Sequence, residues 1–489
     1  MGYKNIGIIG AGVAGLAAAC RLASTGNKVT VFEMAEKPGG KLSEATWKGY
    51  RFDLGPSLFT MPEVFDDIFR FAGKNPRDYF EYIPLDIITH YFFEDGTKFS
   101  SFHDIEKWTQ ELESKINADP VKVKKYLKKT SFIYETTAHI FLERSLHKLE
   151  TYLRWKTFKS ILNLPKIGMS QTMASQNRKQ LNNTYLESYF NRFATYNGSN
   201  PFKAPATLNL IAHVEHGKGA FYPKGGMFSI SKSLYQLALD LGVNFEFNTK
   251  VEKIIHDKRK VHGLKTSNLD YSFDIVLSNM DVFFTYQKLL DIKGPDRILK
   301  QEKSSSALIF YWGIKKQFQE LHLHNIFFSA NYEKEFNSIF EEHSISEDPT
   351  VYVNISSKLT QTDAPQGCEN WFVMINVPNQ QGQNWDVLRE KSRNAIIKKL
   401  NKILGEDIEK LIETEEYLDP IRIESKTGSH LGSLYGNSSN NAMSAFFRHA
   451  NFSSSLKGLY FCGGSVHPGG GIPLAALSGK IAAEMIEKS

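Results

Sequence analysis

Three glycines and one acidic residue near the start of the chain have the types and spacing of a dinucleotide-binding site. Gly10, Gly12 and Gly15 form a G-x-G-x-x-G pattern, and Glu33 follows Gly15 by 18 residues. The first glycine permits a sharp turn, the second lets the backbone approach a pyrophosphate, and the third lets a helix pack closely on a strand. The Glu33 carboxylate can accept hydrogen bonds from ribose hydroxyls, which disfavours a 2′-phosphate and argues against NADP.

Two strands and a helix must hold these residues in place. Residues 5–9 are apolar enough for a buried strand, and an alanine-rich helix is predicted over 13–24. A second strand is predicted over 28–33 and ends in Glu33. The N-terminus of the helix would offer free N–H groups and a partial positive charge to phosphates.

A second glycine-rich segment lies about 450 residues further along the chain. An apolar strand predicted over 459–462 precedes Gly463 and Gly464, and Ile472 begins a helix predicted to run to about residue 487. Pro473 suits the first turn of that helix, where its missing N–H costs little. The two segments together predict one large nucleotide site, with the adenine half at one terminus and a reactive ring at the other.

The residues after the first unit resemble FAD enzymes of the amine oxidase and carotenoid desaturase superfamily. Glu36–Lys41 reads EKPGGK, and Tyr50–Ser57 reads YRFDLGPS. In that superfamily a Gly-Gly pair, here Gly39 and Gly40, runs alongside the diphosphate and is followed by an arginine. This chain carries Lys41 at the arginine position, which keeps the charge but loses the bidentate guanidinium.

The C-terminal segment narrows the resemblance to carotenoid desaturases. Ser465–Pro473, SVHPGGGIP, is similar to their C-terminal signature, and Tyr189–Pro201 and Gly217–Met227 resemble their mid-chain blocks. Within the family the chain most resembles the hydroxycarotenoid 3,4-desaturases, or methoxyneurosporene dehydrogenases, since phytoene desaturases tend to carry Thr where Val466 stands. The resemblance implies that a 1-hydroxy acyclic or monocyclic carotenoid gains a C3–C4 double bond, with hydride passing to flavin N5 and a proton leaving the adjacent carbon.

Two other interpretations stay open. One is a different polyene enzyme on the same fold, such as a phytoene or lycopene desaturase or a carotenoid oxidase. The other is a non-enzymatic escort protein that binds prenyl lipids and shares the fold without using FAD. Glu33 and the intact C-terminal segment argue against the escort protein.

The resemblance implies FAD as the cofactor and assigns residues to its site. Val251 would pair its backbone with the adenine, and Asn279 ends a buried strand that is directed at the cofactor. The predicted cofactor-binding residues are Gly10, Gly12, Ala14, Gly15, Glu33, Gly39, Gly40, Lys41, Gly55, Pro56, Ser57, Val251, Asn279, Gly463, Gly464 and Ile472.

Four polar residues in the family-like blocks are candidates for a catalytic role. Arg192, His213 and Glu215 lie in blocks that face the substrate side, although each could equally belong to a structural ion pair. His467 could act as a general base, because an unperturbed imidazole titrates near neutral pH. It could also simply order the loop beside the flavin.

Size and cysteine usage set further bounds. At 489 residues the chain exceeds one compact core, so two or more lobes are predicted. Cys20, Cys368 and Cys462 have unrelated spacings, which predict neither a metal site nor a disulfide framework and favour a reducing, cytoplasmic compartment. We interpret Cys462 as a buried thiol rather than a covalent flavin attachment. No stretch of about 18 uninterrupted apolar residues predicts a membrane-spanning helix.

Positive charge is concentrated in one segment. Residues 122–179 carry 13 Lys or Arg and three acidic residues, a net charge of +10, so the rest of this +6 chain sums to −4. Arg154, Lys156 and Lys159 alternate there with aromatic and aliphatic residues, a composition typical of a helix lying in a membrane interface. We therefore predict peripheral binding to anionic lipid at the inner face of the membrane. A solvated basic face is the alternative, and no nucleic-acid partner is expected.

These patterns predict an α/β fold in three parts: a Rossmann-like FAD-binding domain of the amine oxidase/GDI-like superfamily, an α+β substrate domain and a helical, membrane-facing lid. They indicate no particular oligomeric state. The predicted ranges are 1–75, 220–295 and 420–489 for the FAD-binding domain, 76–105 and 296–419 for the substrate domain, and 106–219 for the lid.

Overall fold

The computed structural model describes residues 3–153, 155, 157, 160, 163, 167–441, 444 and 447–489. The predicted charged residues Arg154, Lys156 and Lys159 lie outside the described residues. Within the described part of the chain, no helix is both long and apolar enough to cross a bilayer.

A five-stranded parallel sheet brings the two ends of the chain together. Its spatial order is 244–246, 28–32, 5–9, 275–278 and 459–461. Every adjacent pair is parallel. The central strands are buried on both faces, as a parallel sheet covered by helices requires.

Two helices from opposite ends of the chain pack against each other beside this sheet. The first helix, Val13–Ser24, contacts the C-terminal helix, Ile472–Glu487. A Cβ atom on Gly479 would lie 2.4 Å from the carbonyl oxygen of Ala14, so the two backbones approach too closely for a side chain. The helix Phe228–Asp240 packs on the first helix as well, and Asp53 accepts hydrogen bonds from two N–H groups at its start.

A seven-stranded mixed sheet forms the second layer. Its order is 412–418, 306–314, 369–377, 351–355, 324–327, 87–92 and 98–102. The strand Ser306–Ile314 is buried along its whole length, because it has a neighbouring strand on each side and helices or loops over both faces. Helix Trp385–Leu404 contributes to the core of this layer.

Most of the described residues between 105 and 218 are helical, and they form a layer that packs on the seven-stranded sheet. The helix Pro120–Phe141 is its longest described element, and we call it the lid helix. The remaining helices of the layer are Ile105–Ile116, Leu149–Tyr152, Met173–Leu181, Thr184–Asn191 and Leu210–Lys218, with 3-10 segments Arg192–Asn197 and Ala206–Asn209.

Two strands between residues 244 and 256 join different sheets. Asn244–Glu246 lies at the edge of the parallel sheet, whereas Val251–His256 pairs with Val261–Thr266. Asn248, with a φ of +52°, sits in the turn that separates them. The turn redirects the chain to a small three-stranded sheet, Val251–His256, Val261–Thr266 and Asp270–Ser272.

The other described elements are short. The strands are Glu44–Trp47, Tyr50–Asp53, Phe59–Thr60, Tyr82–Pro84 and Ala220–Pro223. The α-helices are Glu63–Phe71, Val282–Phe284, Asp296–Leu299, Tyr332–Phe340, Ile408–Leu411 and Pro420–Thr427.

Candidate cofactor and substrate site

A cavity of about 1530 Å³ is lined by residues of both large sheets and of the helical layer. Pockets for one small-molecule ligand typically measure about 300–1,000 Å³. This cavity therefore has room for an extended cofactor and a second long ligand at the same time. The glycine-rich segments from both chain ends line one part of it.

The Glu33 carboxylate is fixed at one end of the cavity. Its Oε2 accepts a hydrogen bond from the Ala11 N–H at 2.8 Å, and its Oε1 accepts one from the Ala35 N–H at 2.9 Å. These two bonds hold the side chain with lone pairs left for a ligand. Val251 lines the wall nearby, since the Thr249 N–H bonds to the Glu33 carbonyl oxygen at 2.9 Å. This end suits an adenosine with free ribose hydroxyls.

The glycines of the first motif create a surface free of side chains. Gly12 forms a parallel bridge with Gly39, and a Cβ on Gly12 would lie 2.9 Å from Asn279 Nδ2. A Cβ on Gly15 would lie 2.2 Å from the Gly10 carbonyl oxygen. The third position of the motif is therefore glycine because the helix packs too closely on the preceding strand for a side chain. Gly40 and Ala14 also line the cavity. The exposed backbone can approach a diphosphate.

Asn279 joins this surface to the C-terminal segment. A Cβ on Gly463 would lie 2.8 Å from Asn279 Oδ1. Glycines of the N-terminal and the C-terminal motif therefore both lie against the Asn279 side chain. The Gly463 N–H donates to Ser478 Oγ at 3.1 Å, and Ser478 Oγ in turn donates to the His467 carbonyl oxygen at 2.8 Å. These bonds fix the conformation of the loop that precedes the helix beginning at Ile472. Gly464, in this loop, lines the cavity. The helix N-terminus therefore faces the cavity and favours negative charge there.

Lys41 lies at the cavity wall. Its Nζ donates to the Leu434 carbonyl oxygen at 2.9 Å. Desolvation lowers the pKa of Lys41 to about 8, while the charge of Asp281 acts in the opposite direction. The ammonium group thus faces the cavity from a fixed position, as a point charge rather than a guanidinium fork.

Gly55, Pro56 and Ser57 line the cavity between its two parts. A Cβ on Gly55 would lie 1.9 Å from the Lys41 carbonyl oxygen, so these two segments touch through their backbones. Ser57 Oγ shares a 2.7 Å hydrogen bond with the Tyr352 hydroxyl on the seven-stranded sheet.

These observations fit FAD. A ribose acceptor stands at one end, a glycine surface in the middle, and a helix N-terminus at the other end. The order matches adenosine, diphosphate and isoalloxazine. The catalytic and cofactor-binding roles of the individual residues stay predictions.

Arg192 and Glu215 form a buried ion pair beside the cavity. Arg192 donates to Glu215 Oε1 at 2.6 Å and to the Tyr196 hydroxyl at 2.8 Å, and that hydroxyl donates to Glu215 Oε2 at 2.6 Å. The side chains of Arg192 and Glu215 are 4% and 0% exposed. Burial acts to lower the pKa of Arg192, but the combined effect of Glu215 and the neighbouring tyrosines raises that pKa well above its usual value. Arg192 and Tyr196 line the cavity, so the pair forms part of its polar wall.

His213 and His467 occupy different surroundings. His213 packs against Tyr134 on the lid helix, whereas its helix neighbours Ile211 and Val214 line the cavity. His467 lines the cavity, and its Nε2 donates to the Arg144 carbonyl oxygen at 2.6 Å. Burial lowers the pKa of His467 to about 4, so the ring is neutral. The bond to Arg144 favours a role in fixing the loop to the helical layer.

The model of the flavin containing amine oxidoreductase family matches residues 13–283. The chain belongs to this family. It is similar to "1-hydroxycarotenoid 3,4-desaturase" from Flavobacterium sp. (strain P99-3), at 50% identity over 99% of each chain. It is also similar to "4,4'-diapolycopene oxygenase" from Methylomonas sp, at 32% identity over 99% of this chain and 98% of that protein.

Solved structures of the same fold include amine oxidases. Cyclohexylamine oxidase from Brevibacterium oxydans is similar with a TM-score of 0.63 and 14% identity, over 100% of this chain and 99% of that one. The predicted α/β fold and FAD-binding superfamily are therefore confirmed. Because this flavin amine oxidoreductase family is defined by its flavin, the predicted FAD and the oxidoreductase class are confirmed as well.

Some residues of the flavin oxidoreductase cavity were missed by the sequence reasoning. His324, Tyr352 and Arg448 line the cavity from elements that carry no recognisable motif. His324 and Tyr352 lie on two neighbouring strands, and only the pairing of those strands brings them together. Arg448 donates to the Tyr435 carbonyl oxygen and to Asn197 Oδ1. Desolvation lowers its pKa to about 10.

Replacing Glu33 with Ala is expected to weaken FAD binding at least about tenfold, since hydrogen bonds to a charged group contribute about 1.5–3 kcal/mol. The Ala11 and Ala35 N–H groups would also lose their acceptor. Equilibrium dialysis followed by flavin absorbance measures the change. Glu113→Ala, at an exposed position outside the cavity lining, is the matched control. Equal flavin retention in the Glu33→Ala variant and the unmodified protein would refute the ribose role.

Proposed function

We propose that the chain is an FAD-dependent desaturase that introduces a C3–C4 double bond into 1-hydroxy acyclic or monocyclic carotenoids. The 50% identity along the whole chain to a relative with that name carries the proposal. The diapolycopene oxygenase relative is 32% identical, so it supports an oxygenase less strongly.

The residues on the substrate side of the cavity support a long apolar ligand. Ile309, Tyr311, Ile326, Phe372 and Met374 line it from the seven-stranded sheet. From the helical layer come Phe141, Leu142, Leu208, Leu210 and Ile211. Such walls exclude water and align a polyene, while bound FAD supplies a hydride acceptor. The polar groups of Arg192, Tyr196 and Glu215 hydrogen-bond to one another beside the cavity, which offsets much of the cost of burying them.

Competition between two substrates tests the proposal. The holoprotein is expected to desaturate 1-hydroxy-1,2-dihydrolycopene and to consume little phytoene when both are supplied together. A site that pairs the hydroxyl group disfavours an analogue without it by orders of magnitude, roughly 10⁴-fold in favourable cases. Chromatography and mass spectrometry should show a product lighter by two hydrogens with red-shifted absorption. If phytoene is consumed first, the chain is a phytoene desaturase.

We further propose that the three-part division holds, with residues 106–219 acting as a lid that contacts an anionic membrane surface. The lid helix supports this, because Thr137, Ala138, Phe141 and Leu142 at its C-terminal end line the cavity. Its N-terminal half carries exposed lysines on the outside of the protein. A single helix thereby connects the cavity to a basic surface.

Apolar side chains are also exposed at residues 152, 153 and 155, which follow the lid helix in sequence. Leu153 is 84% exposed, Trp155 73% and Tyr152 42%. Aromatic and aliphatic groups beside lysines are the composition of an interfacial helix. A carotenoid that is dissolved in the bilayer would then enter the cavity without crossing water.

Charge reversal of three exposed lysines on the lid helix is expected to release the protein from anionic vesicles. Each lysine near such a surface contributes about 1 kcal/mol, so Lys122→Glu, Lys125→Glu and Lys128→Glu together should lower the partition coefficient at least about 100-fold. Sedimentation with phosphatidylglycerol vesicles measures it, and binding of the unmodified protein should weaken as salt is added.

The same substitutions at Lys334, Lys391 and Lys398 form the matched control, since these lysines are also exposed but lie in other parts of the fold. That control should keep its vesicle binding, and both triple variants should keep FAD. Equal binding to neutral and anionic vesicles at every salt concentration would count against the membrane proposal.

A further inference from the structure

The Lys41 ammonium group reaches the loop 462–471, which precedes the C-terminal helix. Its Nζ donates a hydrogen bond to the Leu434 carbonyl oxygen at 2.9 Å. Two residues further along the chain, Gly436 packs directly on this loop, because an added Cβ would lie 2.8 Å from Ser465 Cα. The Lys41 side chain therefore starts beside the glycine surface and ends at the part of the cavity that suits the isoalloxazine ring.

Asp281 connects Lys41 to the same loop by a second set of contacts. Desolvation lowers the pKa of Lys41 to about 8, and the nearby Asp281 carboxylate acts in the opposite direction. Asp281 Oδ1 accepts a hydrogen bond from the Phe283 N–H at 2.9 Å, and the intervening Val282 N–H donates to Ser465 Oγ at 3.0 Å. Lys41 and Asp281 both line the cavity, and neither is fully buried. Both side chains thus lie where the loop meets the cavity.

The cations around Asp281 outnumber it. Lys41 and Lys303 both interact with this carboxylate, and Arg448 interacts with Lys303. Arg448 is 2% exposed and lines the cavity, and its hydrogen bonds go to a backbone carbonyl and an amide oxygen rather than to a carboxylate. Burying a cation without a counter-charge is costly. A ligand that brings negative charge to this end of the cavity is therefore favoured.

This distribution of charge matches the change that hydride transfer makes. Acceptance of hydride adds two electrons and one proton to bound FAD, so the cofactor gains one negative charge. A cation held beside the ring is attracted more strongly after the transfer than before it. Because the site is shielded from water, this attraction is stronger than it would be in solution. A fixed ammonium group at this position favours reduction of the cofactor.

We propose that Lys41 raises the reduction potential of bound FAD, because its ammonium group lies at the isoalloxazine end and stabilises the negative charge gained with hydride. The family pattern suggests a contact with the diphosphate for this position, so the inference gives the residue a different role. It goes beyond the proposed function, because it concerns the cofactor and does not depend on which carotenoid reacts.

The midpoint potential of the holoprotein, measured at pH 7 by equilibration with a reference dye, tests the inference. Lys41→Met should lower the equilibrium constant for two-electron reduction about 10- to 100-fold, which is a fall of about 30–60 mV in the midpoint potential. Lys41→Arg keeps the charge and should retain most of the potential. Lys37→Met is the matched control, because Lys37 is exposed and lines the cavity at its adenosine end. That variant should keep the potential of the unmodified protein.

The affinity for oxidised FAD separates the two roles of Lys41. A lysine that contacts only the diphosphate stabilises oxidised and reduced FAD equally, so its loss weakens both complexes and leaves the potential unchanged. A lysine beside the ring stabilises the reduced cofactor more, so its loss shifts the potential. Equilibrium dialysis gives the affinity for the oxidised form. If Lys41→Met binds oxidised FAD less tightly at an unchanged potential, the residue serves the diphosphate and the inference is wrong.

Asp281→Asn gives a test of opposite sign that does not require the Lys41 variants to hold FAD. Asparagine keeps an acceptor for the Phe283 N–H and removes one negative charge beside Lys41. The potential of this variant should therefore rise. An unchanged or lower potential in Asp281→Asn would overturn the inference. No carotenoid enters these measurements, so failure of the inference leaves the proposed function standing, and failure of the proposed function leaves the inference standing.

Discussion

Lowering the pH from 7 to 5 is expected to reduce the free energy of unfolding by about 6 kcal/mol through four of the most buried histidines and one buried glutamate alone. Among the histidines whose pKa burial lowers, the value falls to about 4 for His449 and His467, and to about 3 for His216 and His324. Between pH 6.5 and these values the unfolded chain binds protons that the folded protein does not. Stability therefore falls as the pH falls, by about 1.4 kcal/mol per pH unit for each histidine.

Buried carboxyl groups whose pKa is raised act in the opposite direction, as Asp281, Asp363 and Glu335 do. Burial raises the pKa of Glu335 to about 7, so the folded protein binds its proton more readily than the unfolded chain does. The four histidines together lower the free energy of unfolding by roughly 8 kcal/mol at pH 5, and protonation of Glu335 restores about 2 kcal/mol of that loss. The remaining loss is comparable to the total stability of many proteins, which is about 5–15 kcal/mol.

Urea unfolding of the holoprotein at pH 7 and pH 5, with FAD in excess, measures the difference. His216→Asn should shrink the difference by about 2 kcal/mol, since one buried imidazole is removed. His343→Asn is the matched control, because His343 is exposed and its φ of +48° suits asparagine. Equal free energies of unfolding at the two pH values would contradict the explanation.

Glu215→Ala is expected to destabilise the holoprotein by about 3–5 kcal/mol, because it leaves the buried Arg192 guanidinium without its counter-charge. The Tyr196 hydroxyl would lose its acceptor at the same time. Glu215→Gln keeps an acceptor oxygen and should be affected less. The same urea experiment at pH 7 gives the free energy of unfolding.

A double variant shows whether the uncompensated charge is the cause. Arg192→Met together with Glu215→Ala removes both charges and should be more stable than Glu215→Ala alone. If the two variants are equally unstable, the loss comes from packing and the ion-pair explanation fails. Turnover by Glu215→Gln, compared with its stability, separates a catalytic role from a structural one.

The cofactor end of the cavity could be predicted from sequence because backbone geometry restricts residue type there. Gly12, Gly15 and Gly463 stand where a Cβ would lie 2.9 Å or less from a neighbouring atom. Such positions accept glycine and little else, so the spacing of the glycines can be recognised in the sequence. Glu33 could be predicted for a related reason, since it must end the second strand beside the first motif.

The substrate end could not be predicted in the same way. His324 and Tyr352 lie on two largely buried strands, His324–Phe327 and Val351–Ile355, whose short sequences carry no motif. Their contact depends on the register that pairs His324 with Asn354 across two antiparallel strands. The partner of Lys41 is similarly remote, because the Leu434 carbonyl oxygen lies 393 residues away in sequence. Local patterns carry no information about such long-range pairings.

The parallel sheet has a consequence for how the protein is made. Its edge strand, Leu459–Phe461, pairs with Ile275–Ser278, and Asn279 contacts glycines from both motifs. A nascent chain on the ribosome therefore holds an unfinished sheet until these last elements emerge. Flavin capture must follow synthesis, and in the meantime the open edge at Ile275–Ser278 is the place where chaperones would be needed most.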